Sequence, residues 1–127
     1  MKLPPTCSGL PTYSHPVLFR KLKLPSICDV PSAVEGLAAS GFLGANVTIP
    51  HKDAAAEAVG GLTDDAARLR AVNTIEIVGD ATVGHNTDAP GFSRFLERDV
   101  GFDARDATVL LFGAGGAARA CALAVAR

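Results

Sequence analysis

A lysine follows a short run of polar and apolar residues near the middle of the chain, in residues 46–52, Asn-Val-Thr-Ile-Pro-His-Lys. On a strand, Asn46 and Thr48 point to the same face, and a buried strand rarely carries two such polar side chains unless they bind something. Lys52 follows the proline turn, where the end of a strand can present its amine to a cleft. An edge strand with a solvated lysine fits the same residues, so this segment alone leaves both interpretations open.

Two further segments place amides, hydroxyls and a carboxylate at the ends of predicted strands. They are Ala-Val-Asn-Thr at 71–74 and Gly-His-Asn-Thr-Asp at 84–88. Because Asn and Asp are frequent at such positions for turn formation alone, each segment by itself is a weak indication of a binding site. We assign no functional role to two nearby histidines, and interpret His51 as a turn residue and His85 as a packed strand residue.

A glycine-rich segment, Gly-Ala-Gly-Gly-Ala-Ala at 113–118, lies between a predicted strand and a predicted helix. This is the context of a dinucleotide-binding loop, in which glycines let the backbone approach a pyrophosphate and the helix start offers free N–H groups. Glycines between a strand and a helix also form simple tight turns. The segment alone therefore does not decide between a phosphate loop and a turn.

The elements that must position these segments are predicted from hydropathy periodicity and turn residues. Five helices are predicted. The first has a capping box at Ser32 and Glu35 and stops at Gly41, the third is capped by Thr63, and the fourth has Pro90 in its first turn. The second and the fifth are Lys52–Val59 and Ala117–Ala126. The predicted strands are Ala45–Ile49, Val72–Val78, Thr82–His85 and Thr108–Phe112. Helices alternate with strands, which indicates an α/β chain.

Three local features refine this outline. Gly79-Asp80 predicts a hairpin turn between the second and third strands. The helix that contains Pro90 is expected to carry Phe92, Phe95 and Leu96 on one apolar face. Six prolines among the first 31 residues predict an irregular N-terminal stretch, with at most a short helical piece at Val17–Leu24.

Composition limits the classes of function that this chain can have. Its 127 residues, 48% hydrophobic with a formal net charge of -1, suffice for about one domain with a packed core, and the balanced charge argues against a nucleic-acid or polybasic membrane surface. Three widely spaced cysteines and no apolar signal core predict a reducing, cytoplasmic location. The spacing of His and Cys predicts no metal site.

Taken together, the four segments at Asn46, Ala71, Gly84 and Gly113 occur in an order that resembles the NADP-dependent shikimate dehydrogenase family. The resemblance covers about Asp29 to Arg127. It implies an α/β fold with a substrate-binding domain over residues 1–88, followed over residues 89–127 by the first βα step of a Rossmann-type NADP-binding domain.

Carried over residue by residue, the resemblance makes Lys52 the catalytic acid/base and Asp88 its partner, which also contacts substrate. It assigns Asn46, Thr48 and Asn73 to the shikimate pocket, and Asp64 to a position near the cofactor. It assigns the phosphate loop to five residues: Gly113, Ala114, Gly115, Gly116 and Ala117.

The sequence departs from the family pattern at both ends. The family opens with a Ser-x-Ser-Pro turn that holds the substrate carboxylate, whereas this chain has Thr12 and Ser14 with one extra residue before Pro16. The chain ends 11 residues after Gly116, where the family continues its cofactor domain. We therefore expect a fragment or a truncated reading frame that is inactive alone and self-associates through an uncovered strand Thr108–Phe112.

The function that the resemblance implies is the reversible, NADPH-dependent reduction of 3-dehydroshikimate to shikimate in aromatic amino acid biosynthesis. A lysine beside an aspartate can give a proton to the alkoxide that forms when hydride reaches the ketone carbon. Two alternatives stay open at this point. One is a quinate or quinate/shikimate dehydrogenase of the same superfamily, and the other is a non-catalytic remnant of the substrate domain.

Overall fold

The computed structural model of the chain describes Ser26 and residues 29–127. The predicted helical piece at Val17–Leu24 and the predicted carboxylate ligands Thr12 and Ser14 lie outside the described residues. The described part is an α/β structure, as the sequence predicts.

Helices and short strands alternate along the described chain. The helices are α1 (Val30–Ala39), α2 (Lys52–Ala58), α3 (Asp64–Leu69), α4 (Asp88–Arg94), which continues into a π-helical segment (Phe95–Val100), and α5 (Gly116–Val125). The strands are β1 (Gly44–Asn46), β2 (Gly61–Leu62), β3 (Thr74–Val78) and β4 (Ala81–His85). Within this part of the chain, no helix is both long enough and apolar enough to cross a membrane.

The four strands form one sheet in the order β1-β3-β4-β2, with β2 parallel to β4 and the other pairs antiparallel. Val78 pairs with Ala81 across Gly79-Asp80, so the predicted hairpin is confirmed. At the other end of the hairpin Thr74 pairs with His85. Residue 73 and residues 86–88 flank the hairpin, and this register brings them close together at its open end.

Two buried clusters hold the helices. The first joins α1, α2 and α3 to β3 and the residues just before it. Its buried members are Val30, Val34, Ala55, Ala66, Val72 and Ile75. The second joins α3, α4 and α5, and its buried members are Leu69, Ala71, Ala89, Ala120 and Ala124. Because most members of the second cluster are alanines, α5 approaches α4 closely.

Several predicted boundaries are wrong for local reasons. Helix α1 begins at Val30, two residues before the predicted cap at Ser32, because Pro31 is compatible with the first helical turn. Thr63 precedes α3 as predicted, but its hydroxyl donates to the carbonyl of Gly84 (3.2 Å) and accepts no hydrogen bond from the first N–H groups of the helix. The two-residue strand β2 was not predicted, because two residues are too few to show an alternation of polar and apolar side chains.

The predicted strand Thr108–Phe112 does not form. A strand requires a neighbouring strand to satisfy its backbone groups, and no strand of the described residues pairs with this one, so high β-propensity alone is insufficient. Leu110 and Phe112 are 77% and 88% exposed. Phe95 stacks on Phe92 with ring centroids 6.3 Å apart, so these two residues share a face of the helix as predicted, although Phe95 is exposed.

Candidate active site

Lys52 and Asp88 form the centre of the candidate site. Lys52 is the first residue of α2, Asp88 is the first residue of α4, and Lys52 Nζ lies 2.6 Å from Asp88 Oδ2. The two side chains are 20% and 33% exposed, so the pair is partly shielded and still open to a small molecule. An ion pair at this distance is a charge-assisted hydrogen bond that orients both groups.

Asn73 fixes the orientation of the Asp88 carboxylate. Its side-chain Nδ2 donates to Asp88 Oδ1 (2.8 Å), which leaves Asp88 Oδ2 for Lys52. The Asn73 amide is itself held, because its Oδ1 accepts from the backbone N–H of Thr87 (3.0 Å). The two carboxylate oxygens therefore have different and specific partners.

The segment 71–74 ties the backbone of this site together. The N–H of Val72 donates to the carbonyl of Lys52 (2.9 Å), and the N–H of Asn73 donates to the carbonyl of His85 (3.0 Å). The carbonyl of Asn73 accepts from the N–H of Val47 (2.7 Å). These bonds place the segment that precedes β3 between the chain around Lys52 and the chain around Asp88.

A close backbone approach at Gly84 lets the hairpin pack on Val72. A Cβ added at Gly84 would lie 2.5 Å from Val72 Cγ2 and 2.9 Å from Val59 Cγ2. Only glycine fits here without displacing a fully buried side chain. The glycine of the 84–88 segment therefore has a packing role that the turn interpretation did not identify.

Asn86 is a site residue that sequence reasoning missed. Its side chain is buried, its Nδ2 donates to the carbonyl of Ala71 (2.9 Å), and its Oδ1 accepts from the N–H of Asp88 (3.0 Å). The second bond is an Asx turn, which can be expected two residues before Asp88. The first bond joins distant segments and has no signal in the sequence.

Asn46 and Thr48 lie near this network without sharing a strand. Strand β1 ends at Asn46, so the prediction that both side chains lie on one face of a strand Ala45–Ile49 is wrong. The physical reason is that the chain turns at residue 48, whose carbonyl accepts from the N–H of His51 (2.9 Å). Asn46 is in register with Thr74, and both Asn46 and Thr48 are exposed.

An open groove of about 610 Å³ lies beside the site, along the start of α3 and the end of β4. It is lined by Thr63, Asp64, Asp65, His85, Asn86, Thr87 and Pro90. His85 lies on strand β4 as predicted and is half-buried, with its Nε2 3.0 Å from Glu76 Oε2. Asp64 is exposed in this groove, and no hydrogen bond of the described residues joins it to the glycine loop.

The glycine loop turns sharply and leads directly into a helix. Gly113 has φ 114°, a backbone conformation that favours glycine, and α5 begins at Gly116 after Gly115. No side chain caps the start of this ten-residue helix, so its first N–H groups can bind an anion. Residues 113–117 therefore combine a glycine-favouring turn with an uncapped helix start, although the segment before them is not part of the sheet.

Comparisons with known proteins identify the family. Residues 19–75 match the family model for the shikimate dehydrogenase substrate-binding domain. A shikimate dehydrogenase (NADP(+)) of Geobacter metallireducens is 48% identical over 99 residues, which are 78% of this chain and 35% of that protein. One of Moorella thermoacetica is 48% identical over 98 residues, which are 77% of this chain and 33% of that protein.

Solved structures agree with these relatives. The shikimate 5-dehydrogenase of Thermus thermophilus in complex with shikimate superimposes with a TM-score of 0.72 at 36% identity, over 80% of this chain and 38% of that one. The quinate dehydrogenase of Corynebacterium glutamicum in complex with NAD gives a TM-score of 0.66 at 34% identity, over 77% and 35%. The chain spans about a third of the length of the curated relatives it matches, and it belongs to the shikimate dehydrogenase family.

Proposed function

We propose that this chain supplies the substrate-binding part and the acid/base pair of an NADP-dependent shikimate dehydrogenase, which reduces 3-dehydroshikimate reversibly to shikimate. The observation that carries the proposal is the 2.6 Å contact between Lys52 Nζ and Asp88 Oδ2. The two residues are 36 positions apart in the chain, and each stands at the start of a different helix. Membership of the family supports the assignment of this pair to that reaction.

In the proposed reaction a proton must reach the oxygen of the ketone as it becomes an alkoxide. The hydride for the ketone carbon comes from NADPH when that cofactor is bound. Lys52 donates the proton from Nζ, and Asp88 keeps the ammonium aimed at the reacting oxygen through Oδ2. A well-placed general acid of this kind contributes about 10²- to 10⁴-fold to the rate.

The proposed substrate pocket lies on the exposed side of this pair. Asn46 and Thr48 are exposed, so their donors and acceptors are available to the hydroxyl groups of a polyol ring. Asn73 is proposed to border the ring as well, while its Nδ2 holds Asp88 (2.8 Å). Thr12 and Ser14 remain the proposed ligands of the substrate carboxylate.

For the cofactor, we propose that residues 113–117 bind the pyrophosphate at the start of α5 and that Asp64 lies near the nucleotide. The uncapped helix start and the positive φ of Gly113 support the first assignment. The proposed division of the chain into a substrate domain, residues 1–88, and the start of a nucleotide domain, residues 89–127, places Asp88 at the boundary.

The proposal extends to partners and location. Four consecutive apolar residues, 109–112, are exposed, and an apolar patch of this kind favours association with a second copy of the chain. The net charge of -1 favours a small-molecule partner over a nucleic acid or a membrane surface. A cytoplasmic location is proposed because the free thiol of Cys121 suits a reducing compartment.

Titration of the isotope-labelled chain with shikimate tests the binding part of this proposal. We expect saturable changes in the amide resonances of Lys52, Asn73 and Asp88, with weaker changes when quinate is added. The variant Arg105→Ala is a matched control, because Arg105 is exposed and, among the described residues, its ion pair is with Asp103. Saturable changes confined to residues remote from Lys52, or none at the solubility limit of shikimate, would contradict the proposal.

A further inference from the structure

Helix α5 contacts the residues that directly follow both members of the acid/base pair. On one side, Arg119 Nη2 lies 2.8 Å from Oδ1 of Asp53, the residue after Lys52. On the other side, Ala120 belongs to the same buried cluster as Ala89, the residue after Asp88. The helix that begins at the glycine loop therefore touches the first turns of both α2 and α4.

The geometry points to Arg119 as a positioning residue, whose ion pair with Asp53 ties the helix of the glycine loop to the first turn of α2 and so holds Lys52 against Asp88. This inference rests on the proposed function, since it assigns Lys52 and Asp88 to the reaction. It adds a residue that belongs neither to the five residues of the proposed phosphate loop nor to the proposed substrate pocket. Because of this ion pair, the position of the glycine loop and the position of Lys52 depend on each other.

The surroundings of the ion pair explain how it can connect α5 to α2. Arg119 and Asp53 border a cavity of about 230 Å³, lined also by Ala56, Glu57, Leu62 and Arg70. Side-chain packing does not fill this space between α2 and α5, and the ion pair spans it. Among the ion pairs of the described residues, Arg119–Asp53 joins these two helices directly.

The Arg119 side chain is partly buried and contacts Asp53 at its tip. Its Nε is buried and has no hydrogen-bond partner among the described residues, whereas Nη2 reaches Asp53. The Asp53 side chain is 65% exposed, so the pair contributes little to stability. Its effect is expected on the position of the first turn of α2, where Lys52 precedes Asp53.

The opposite end of α5 provides a matched comparison. Arg127 pairs with Asp65 of α3, a helix that bears neither Lys52 nor Asp88. Loss of either ion pair removes one charged contact within α5 or just after its end. Only the loss of Arg119–Asp53 acts on the helix that presents Lys52.

The test measures the hydrogen-exchange rate of the Lys52 ammonium group by NMR in the 127-residue chain. In Arg119→Gln we expect exchange to be faster by about 2- to 5-fold, the range that corresponds to the coupling energy of an exposed ion pair. In the control Asp65→Asn we expect no such change. Arg119→Lys should restore part of the protection, because the lysine can still reach a carboxylate.

Equal exchange rates in Arg119→Gln and Asp65→Asn, or unchanged exchange in Arg119→Gln, would overturn the inference. If Arg119→Gln does not fold, Asp53→Asn removes the same contact from the exposed partner and is judged by the same result. Since the readout needs neither shikimate nor cofactor, failure of the chain to bind shikimate would contradict the proposed function and leave this test intact.

Discussion

The acid/base region and the glycine-loop region of this chain differ in what holds their residues in place. Lys52 and Asp88 are fixed by hydrogen bonds between segments far apart in the sequence, including those of Asn73 and Asn86. The glycine loop has a positive φ at Gly113 and leads into an uncapped helix, but the residues just before it are exposed and pair with no strand of the described residues. Side-chain networks can thus organise one site completely, while a loop at the end of a strand also depends on the sheet around that strand.

The largest effect is expected from removing the proton donor. In a chimaera that joins this chain to the remaining nucleotide domain of the Geobacter metallireducens relative, Lys52→Ala should lower kcat by about 10²- to 10⁴-fold, with a small change in KM. Proton donation is needed mainly in the transition state, so its loss appears in kcat. Steady-state kinetics with shikimate and NADP measure both constants.

Arg105→Ala is the control in the same chimaera and should leave both constants unchanged. A rise in KM with an unchanged kcat would show that Lys52 binds substrate without donating a proton. The acid/base role would then pass to another residue of the network, and the contrast between the two regions would no longer concern catalysis.

An intermediate effect is expected from the buried amide that joins the two segments. Asn86→Ala leaves the carbonyl of Ala71 and the N–H of Asp88 without their partners, which should lower the free energy of unfolding by about 1–3 kcal/mol. Urea denaturation measures this change. Arg105→Ala, which removes an exposed pair, should stay within about 0.5 kcal/mol of the parent, and an equal loss in both variants would contradict the assignment of Asn86.

The smallest effect concerns the exposed residues before the glycine loop. We expect the chain to associate as its concentration rises, and Phe112→Lys to weaken this association, because Phe112 is 88% exposed in an apolar stretch. Light scattering after size-exclusion chromatography measures the mass. Leu43→Lys is the matched control, since Leu43 is 85% exposed elsewhere, and a monomeric parent chain at high concentration would contradict the prediction.

The sequence predicts the elements whose signals are local. The hairpin follows from Gly79-Asp80, and α2 follows from an alanine-rich run with a glycine stop. The pairing of Lys52 with Asp88 came from the resemblance of four segments to a family, since a lysine and an aspartate 36 positions apart have no period to connect them. The structure brings these two residues together, and their catalytic roles stay predictions.

The features that could not be predicted depend on contacts between distant segments. The local sequence around Asn86 is that of a solvated turn. Its Nδ2 donates to the carbonyl of Ala71 only because the fold brings these two segments together. Thr108–Phe112 shows the opposite case, because its residues favour a strand and no neighbouring strand of the described chain pairs with it. The ion pair of Arg119 with Asp53 could likewise not be predicted, because it forms only where the fold places α5 beside α2.

The most direct test of the account asks whether Lys52 and Asp88 form a preorganised pair in solution. The measurement is the NMR signal of the Lys52 ammonium group in the parent chain and in Asp88→Asn. The account predicts a resolved signal with slow hydrogen exchange in the parent chain and rapid exchange in the variant, because Asp88 Oδ2 accepts the hydrogen bond from Nζ. A Lys52 signal in the parent chain that exchanges as fast as that of a solvated lysine would contradict the account.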